Sequence, residues 1–265
     1  MIKYAVNKLS VIPVRKEAKE QSEIISQLLF GELCKIIDKH KGWRKIVCAH
    51  DDYEGWVDHL QLTIIDEAEF DTLKQSPFAC SIELVQYATS KERHVPILTG
   101  SSLYNHDGMN FSILKEKFIY NGQSYINDQT TDKVKVLEKC VHKYVNAPYL
   151  WGGRSPFGID CSGFTQVVYK IIGIQLKRDA YQQMEQGRFI DFVNESKTGD
   201  LAFFENEDGK ITHVGIILPN DDMPQERLII HSSGRVKIDK IDHYGIYSAD
   251  TQKYTHKLKC IKRLL

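Results

Sequence analysis

One stretch of the 265-residue chain, residues 148–164 (PYLWGGRSPFGIDCSGF), restricts the fold more than any other. Its glycines and prolines exclude a regular element as far as about Asp160. Apolar residues then follow at helical spacing, namely Phe164, Val167, Val168, Ile171 and Ile172. Cys161 is therefore expected at or near a helix N-terminus, where unpaired N–H groups favour the thiolate. Most cysteines are only small buried apolar side chains, so this position alone does not make Cys161 a nucleophile.

Two histidines downstream complete a possible catalytic set. His213 opens the apolar run HVGIIL, which predicts a buried strand, and a catalytic cysteine needs such a base close in space. His231 lies in the next predicted strand, residues 228–234, and can orient the ring of His213 from behind. A further apolar strand is predicted at residues 201–204, after a turn. This arrangement matches the roles of nucleophile, base and orienter.

Four motifs now stand in order: YLWGG at 149–153, DCSGF at 160–164, GDL to FF at 199–204, and HVG at 213–215. Over roughly residues 131 to 265, their order and spacing resemble the NlpC/P60 family of papain-like cysteine peptidases. The resemblance implies an α+β, papain-like catalytic domain and a triad of Cys161, His213 and His231, with a histidine as third member.

The first 65 residues form short apolar runs divided by polar turns, a pattern typical of a small β-barrel. The segments VRK at 14–16, GEL at 31–33, GWRKI at 42–46 and GWV at 55–57 resemble a bacterial SH3 (SH3b) domain. Residues 1–65 are therefore predicted to be a first SH3b domain.

Residues 66–130 are predicted to form a second, divergent SH3b-like barrel. They contain a short helix at 67–74, strands at 78–87 and 95–98, and a hairpin at 118–125 whose Asn121-Gly122 pair suits a type I′ turn. From Asp132 the apolar period becomes helical, so residues 131–265 are predicted to be the peptidase domain.

Two SH3b-like barrels before this peptidase domain resemble a narrower group, the γ-D-glutamyl-L-diamino acid endopeptidases, also called dipeptidyl-peptidase VI. The resemblance implies a thiol protease that cleaves the γ-D-glutamyl-diamino acid bond of murein tri- or tetrapeptides with a free N-terminal L-Ala, in cell-wall peptide recycling. His213 would deprotonate Cys161, an oxyanion would form near the Cys161 N–H and the Tyr149 hydroxyl, and water would hydrolyse the thioester. No metal or other cofactor is expected.

A free ammonium group bound by a protein needs carboxylates and hydrogen-bond acceptors. Asp160 lies next to the nucleophile, and the family pattern adds Glu23 and Tyr53 from the first SH3b domain. Glu54 and Glu20 are alternatives to Glu23, which also fits a solvated surface charge.

The other predicted substrate-binding residues are Tyr149, Ser162 and Arg154, the last for the α-carboxylate of γ-D-Glu unless it is a solvated loop arginine. The segment Arg178-Asp179-Ala180 departs from the family, because relatives commonly have a serine at the position of Ala180. That departure affects fine specificity rather than catalysis.

The chain has 35 basic and 35 acidic residues, so bulk charge recruits neither nucleic acid nor an anionic membrane. No apolar run approaches the ~18 residues of a membrane span. The N-terminus lacks the features of a secretory signal, which predicts a cytoplasmic protein, or a secreted or periplasmic one if a leader has been removed. Six scattered cysteines favour reduced thiols over disulfides or a metal site. The protein is expected to be a monomer with a murein peptide as its partner.

Three other functions stay open at this point. The chain could be a secreted cell-wall hydrolase of broader specificity, a non-catalytic wall-binding or interaction protein, or an acyltransferase that uses the same thioester chemistry. Thiol alkylation followed by an activity assay separates the second from an enzyme, and mass spectrometry with an added acyl acceptor identifies the third.

Overall fold

The computed structural model describes residues 3–126 and 132–265 of the chain. These residues divide into two compact units. The first comprises the described residues up to 126 together with Trp151–Pro156 and Lys170–Gln175. The second comprises Asp132–Leu150, Phe157–Tyr169 and Leu176–Leu265. The predicted boundary between residues 130 and 131 lies outside the described residues.

The first unit begins with an antiparallel seven-stranded sheet of order β3-β2-β6-β5-β4-β1-β7. Its strands are β1 (Lys3–Val6), β2 (Val11–Arg15), β3 (Ile24–Leu29), β4 (Leu33–His40), β5 (Trp43–Cys48), β6 (Glu54–Asp58) and β7 (Thr63–Ile65), with a 3-10 helix at His59–Gln61. Alternation sends Ile12 and Val14 of β2 into a core with Leu28, while their neighbours face outward. The period-two pattern therefore built the predicted SH3-like barrel.

A helix and two smaller sheets follow in the same unit. The helix is α1 (Glu67–Gln75), and the strands are β8 (Phe78–Ser81), β9 (Val85–Thr89), β10 (His94–Leu98), β11 (Ser102–Tyr104), β12 (Asn110–Ile113), β13 (Glu116–Tyr120) and β14 (Ser124–Ile126), with β15 (Arg154–Ser155) contributed from later in the chain. A capping box between Asp66 and Glu69 fixes the start of α1. The sheet orders are β10-β9-β13-β12 and β11-β8-β14.

The predicted hairpin at residues 118–125 is wrong. Strands β13 and β14 flank Asn121-Gly122, but β13 pairs with β9 and β12, whereas β14 pairs with β8 in the other sheet. Neither residue of the pair has the positive φ that a type I′ turn requires. The hydroxyl of buried Tyr120 lies 2.7 Å from Ser81 Oγ, and a Cβ on Gly122 would lie 2.4 Å from that same hydroxyl. The glycine therefore provides space for a core tyrosine.

The second unit contains α2 (Lys133–Lys143), β16 (Gly158–Ile159), the main part of α3 (Cys161–Ile171), α4 (Ala180–Gln183) and a seven-stranded antiparallel sheet. The sheet strands are β17 (Arg188–Ile190), β18 (Leu201–Glu205), β19 (Ile211–Pro219), β20 (Arg227–Ser233), β21 (Arg235–Ile241), β22 (Gly245–Ser248) and β23 (Lys253–Arg263), with a 3-10 helix at Val193–Glu195. Because β22 also pairs with β23, strands β18 to β23 close on themselves, and β17 lies at the edge.

Helix α3 is the buried centre of this unit. Every residue from Cys161 to Tyr169 is buried, so this part of the helix is not amphipathic. Phe164 packs edge-on against Tyr144 at 5.5 Å between ring centroids. Among the described residues, none of the helices is both long enough and apolar enough to cross a membrane.

Candidate active site

Cys161 is the first residue of α3, as the loop-to-helix pattern predicts. Asp160 precedes it, and its carboxylate accepts a hydrogen bond of 2.7 Å from the Gly163 N–H. This is the contact that an N-cap residue makes to satisfy the first turn of a helix. The nucleophile is thereby held on a helix end whose geometry its own neighbour fixes.

The thiol of Cys161 is less acidic than its position suggests. Burial raises its pKa to about 12, and the negative charge of Asp160 acts in the same direction. The N–H groups of Val214 and Ser162 and the charge of Arg178 act in the opposite direction but do not prevail. Without substrate the sulfur therefore carries its proton, and a base must remove it during attack.

His213 lies on β19 beside Val214, whose N–H contacts the sulfur. A hydrogen bond of 2.8 Å joins His213 Nε2 to His231 Nδ1, and His231 Nε2 lies 3.1 Å from Asp239 Oδ2. The predicted pair of histidines is thus brought together, and Asp239 extends the set to a fourth member.

The carboxylate fixes the tautomers along this chain. Ionised Asp239 can only accept, so His231 Nε2 carries the proton and His231 Nδ1 accepts from His213 Nε2. Neutral His213 is then left with its lone pair on Nδ1, the nitrogen that His231 does not bind. This is the form that a general base requires.

The charge states of His213, His231 and Asp239 agree with these tautomers. Burial and the neighbouring His231 lower the pKa of His213 well below its usual range, and burial also lowers the pKa of His231. Burial opposes ionisation of Asp239, but the hydrogen bonds from His231 and the Ala249 N–H bring its pKa to about 2. At neutral pH the set therefore contains two neutral imidazoles and one carboxylate.

Gly215 provides the space for the hydrogen bond between His213 and His231. A Cβ on Gly215 would lie 2.7 Å from Ile229 Cδ1 and 2.9 Å from the Cβ of His231. Strands β19 and β20 are neighbours in the sheet, so any side chain at residue 215 would displace His231. The glycine of the HVG motif is thereby explained by packing.

Asp160 and Ser162 are linked by an arginine that the sequence did not single out for this role. Buried Arg178 donates to both carboxylate oxygens of Asp160, at 3.1 and 2.7 Å, and to Ser162 Oγ at 2.9 Å. The predicted ammonium ligand is therefore already neutralised by a cation. Asp160 also caps α3, so these contacts give it a structural role. A contact between Asp160 and the substrate amine stays a prediction.

Tyr149 lies in the second unit on the loop before β16, with its N–H bonded to the Gly234 carbonyl at 3.0 Å. Its ring is 37% exposed. Burial raises the pKa of its hydroxyl to about 12, with the negative potentials of Cys161 and Asp160 adding to the effect. The hydroxyl therefore remains a proton donor at any working pH, as an oxyanion contact requires.

Glu23 and Tyr53 lie in the first unit. Exposed Glu23 accepts a hydrogen bond of 2.7 Å from Trp151 Nε1, and Lys16 approaches its other oxygen at 3.3 Å. Tyr53 packs on the core of the first barrel. Glu23 is thus joined to the same glycine-rich loop that the sequence singled out.

The two alternatives to Glu23 make surface ion pairs. Glu54 pairs with Lys45 at 2.8 Å, and Glu20 lies 3.9 Å from Arg15. Neither of these two contacts involves the glycine-rich loop, so the described contacts favour Glu23 among the three.

Arg154 requires a correction. It is neither a solvated loop arginine nor available to a substrate carboxylate, because only 2% of its surface is exposed and its terminal nitrogens bind Glu32 at 2.7 and 2.9 Å. Nη1 also donates to the Gln27 carbonyl at 2.6 Å, and Lys170 donates to Glu32 at 2.7 Å. Burial favours such pairing, since an arginine charge removed from water must be compensated.

The sequence interpretation missed Asp239 and His256 in the second unit. Asp239 is a buried acid at an inward-facing position of β21, and an aspartate at such a position is the signal by which the sequence could have indicated it. His256 was given no role, yet its ring stacks on His213 with 4.1 Å between centroids and 26° between planes.

A buried thiol at a helix N-terminus, contacted by the N–H of the residue next to a tautomer-fixed imidazole, provides the parts used in cysteine catalysis through a thioester. Comparison with known families identifies two domains in the chain. Residues 146–256 match the NlpC/P60 family, and residues 14–62 match the bacterial dipeptidyl-peptidase SH3 domain. The chain thus contains an NlpC/P60 domain, preceded by a bacterial SH3 domain.

Two curated relatives bear the name gamma-D-glutamyl-L-lysine dipeptidyl-peptidase. The chain is 28% identical to that of Bacillus cereus over 228 residues, which is 76% of this chain and 67% of the relative. It is 29% identical to that of Bacillus subtilis over 207 residues, 73% and 69% of the two chains. An NlpC/P60 family protein of Bacillus cereus shares the fold along almost the whole length, with a TM-score of 0.80 at 22% identity and 99% of each chain covered.

Proposed function

We propose that this chain is a dipeptidyl-peptidase that hydrolyses the γ-D-glutamyl-diamino acid bond of murein tri- or tetrapeptides with a free N-terminal L-Ala. The observation that carries the chemistry is the hydrogen-bonded chain from His213 through His231 to Asp239. The substrate class is supported by the relatives from the two Bacillus species, which are named for this bond, and by the dipeptidyl-peptidase type of the SH3 domain.

In the proposed mechanism, His213 Nδ1 takes the proton of Cys161 as the sulfur attacks the γ-glutamyl carbonyl carbon. The oxyanion is stabilised by the N–H at the start of α3 and by the Tyr149 hydroxyl. The C–N bond then breaks, the imidazolium protonates the leaving amine, and a water molecule hydrolyses the thioester to release L-Ala-D-Glu. Every proton in the cycle passes through one ring nitrogen.

The free amine of the substrate needs a negative partner. Glu23 supplies a carboxylate from the SH3 domain, and its bond to Trp151 joins it to the loop that precedes Cys161 in the sequence. A requirement for this amine would restrict the enzyme to peptides already released from the glycan, which fits a role in recycling inside the cell.

The test is digestion of L-Ala-γ-D-Glu-meso-diaminopimelate and its L-lysine counterpart, each beside its N-acetylated twin, with products read by mass spectrometry. We expect L-Ala-D-Glu only from the free amines, and none from Cys161→Ala. Glu23→Gln should raise KM for the free-amine peptide by about 10-fold or more while kcat changes little, because one charge-assisted contact is lost. Glu54→Gln, which removes an exposed carboxylate from the same domain, is the matched control.

Equal cleavage of both twins would exclude the amine requirement while leaving a peptidase. If wild-type protein cleaves neither peptide, the substrate class is wrong. Transfer of the dipeptide to an added amine, in place of hydrolysis, would assign the thioester chemistry to an acyltransferase.

A further inference from the structure

His256 has no role in the proposed mechanism, yet its ring centroid lies 4.1 Å from that of His213, closer than that of His231 at 5.0 Å. Its imidazole stacks on that of His213, with an angle of 26° between the two planes. The His231 ring stands edge-on to His213, at 86°, and Phe204 lies further away, at 5.8 Å and 46°. His256 therefore covers one face of the His213 ring.

The stacked His256 ring restricts a rotation of the His213 ring that the hydrogen bond to His231 leaves possible. The bond from His213 Nε2 to His231 fixes one atom of the ring, but a ring held at one atom can still turn about the line of that bond. A flat group against the ring face removes this freedom. The two contacts together fix both the position and the plane of the His213 imidazole.

The backbone holds His256 for this contact. On β23 it pairs with Ile246 of β22, and a β-bulge lies directly before it, where Thr255 stands opposite no residue of β22. Thr255 Oγ1 lies 2.9 Å from His256 Nδ1. Bulges re-aim side chains and are frequent beside active sites. The strand thus places the ring, and a neighbouring hydroxyl holds its orientation.

We propose that His256 is a positioning residue of this peptidase, whose stacked ring holds the plane of His213 so that Nδ1 remains directed at Cys161. The inference rests on the proposed peptidase chemistry for its activity measurements. Its thiol measurement does not depend on the choice of substrate.

The charge state of His256 suits this role. Burial lowers its pKa to about 4. The titratable and charged groups around it are His213 from β19, His231 from β20, Lys237 and Asp239 from β21, and Tyr244, Tyr254 and Lys257 along the adjacent cleft. Near neutral pH a neutral ring therefore faces His213, and it can stack on the imidazolium that forms during attack without charge repulsion.

Two substitutions separate the shape of the ring from its titration. His256→Phe keeps a flat ring and removes the titratable nitrogens, so we expect kcat within about 3-fold of wild type. His256→Ala removes the ring, and we expect kcat to fall by about 10- to 100-fold with little change in KM, as for other small misplacements of a reacting group. His243→Ala is the matched control, because it deletes an exposed imidazole that packs on Tyr244 at 3.9 Å.

The second readout is the rate of Cys161 alkylation by iodoacetamide between pH 5 and 10. In wild type and His256→Phe we expect His213-assisted reactivity that persists to acid pH. In His256→Ala the rate should shift toward the alkaline curve of an unassisted thiol, because the base no longer faces the sulfur. Thermal melts of all variants establish that each is folded before comparison.

Unchanged kcat and unchanged alkylation in folded His256→Ala would overturn the proposal. So would a loss in His256→Phe as large as in His256→Ala, since the titratable nitrogen rather than the ring plane would then be responsible. If wild type cleaves no peptide but its alkylation profile still depends on residue 256 as described, the substrate assignment fails and the positioning role stands.

Discussion

The buried cluster of Glu32, Arg154 and Lys170 gives the sharpest prediction about stability. Substitution of Glu32 by Gln keeps the size of the side chain and removes its charge. Three charge-assisted hydrogen bonds of 2.7, 2.9 and 2.7 Å would be lost or weakened, and two cations with at most 5% of their surface exposed would lose the carboxylate that they share. The variant tests whether this cluster holds the loop and barrel of the first unit together.

Breaking a buried ion pair by removing one partner costs about 3–5 kcal/mol, because the remaining charge stays desolvated. For a chain of this size that lowers Tm by about 5–10 °C. The pKa of Glu32 lies far below its ordinary value of 4.5, since Arg154 and Lys170 overcome the burial of the carboxylate. Its contribution is therefore complete above about pH 4.5 and declines as the pH falls below that value.

The assay is calorimetry or far-UV circular dichroism of wild type and variant between pH 4 and 8. We expect the largest difference near pH 7 and a smaller one at pH 4. The control is Glu54→Gln, which breaks an exposed 2.8 Å pair with Lys45 and should cost less than about 1 kcal/mol. Equal effects of the two substitutions would refute the argument that burial of the cluster determines its energy.

Three further predictions concern the catalytic set. Asp239→Asn should lower kcat by at least about 100-fold with little change in KM, because an amide that donates to His231 reverses the tautomers of both histidines. Steady-state kinetics measures this, and full activity of the variant would exclude the role of Asp239. Gly215→Ala should lower the free energy of unfolding by about 1–3 kcal/mol and reduce activity, because its methyl group would lie 2.9 Å from His231. Gly42→Ala is the control, since the nearest atom there is at 3.5 Å, and melts and activity assays should show neither effect. The acid limb of kcat/KM should lie below pH 6.5, because the pKa of His213 is lowered and the base works when neutral; a limb at or above 6.5 in a profile from pH 4 to 8 contradicts the assignment.

Local patterns in the sequence predicted most of the elements. The strands of the first barrel lie on the short apolar runs between polar turns that the sequence shows, as with Val11–Arg15 and Ile24–Leu29. The start of α2 at Lys133 follows from Asp132, whose side chain accepts from the next N–H groups. These features depend on neighbours within a few residues, and such neighbours can be read directly from a sequence.

The errors involve partners far apart in the chain. Arg154 reads as a solvated loop residue until Glu32, more than one hundred residues earlier, is placed against it. Asn121-Gly122 fits a hairpin turn, because the residues near it do not show that the two flanking strands belong to different sheets. Asp239 required knowledge of which strand lies beside β20. Burial and sheet order decide these cases, and neither has a fixed spacing.

The electrostatics of the site show where its catalytic power acts. Burial raises the pKa of Cys161 and lowers that of His213, so both effects oppose a thiolate–imidazolium pair before substrate binds. The same burial strengthens any charge interaction once the proton has moved. Asp239, bonded to His231, then stabilises the positive charge on the two imidazoles, while the Val214 N–H already contacts the sulfur. These groups stabilise the charge-separated state more than the neutral one, and only such a difference lowers the barrier to attack.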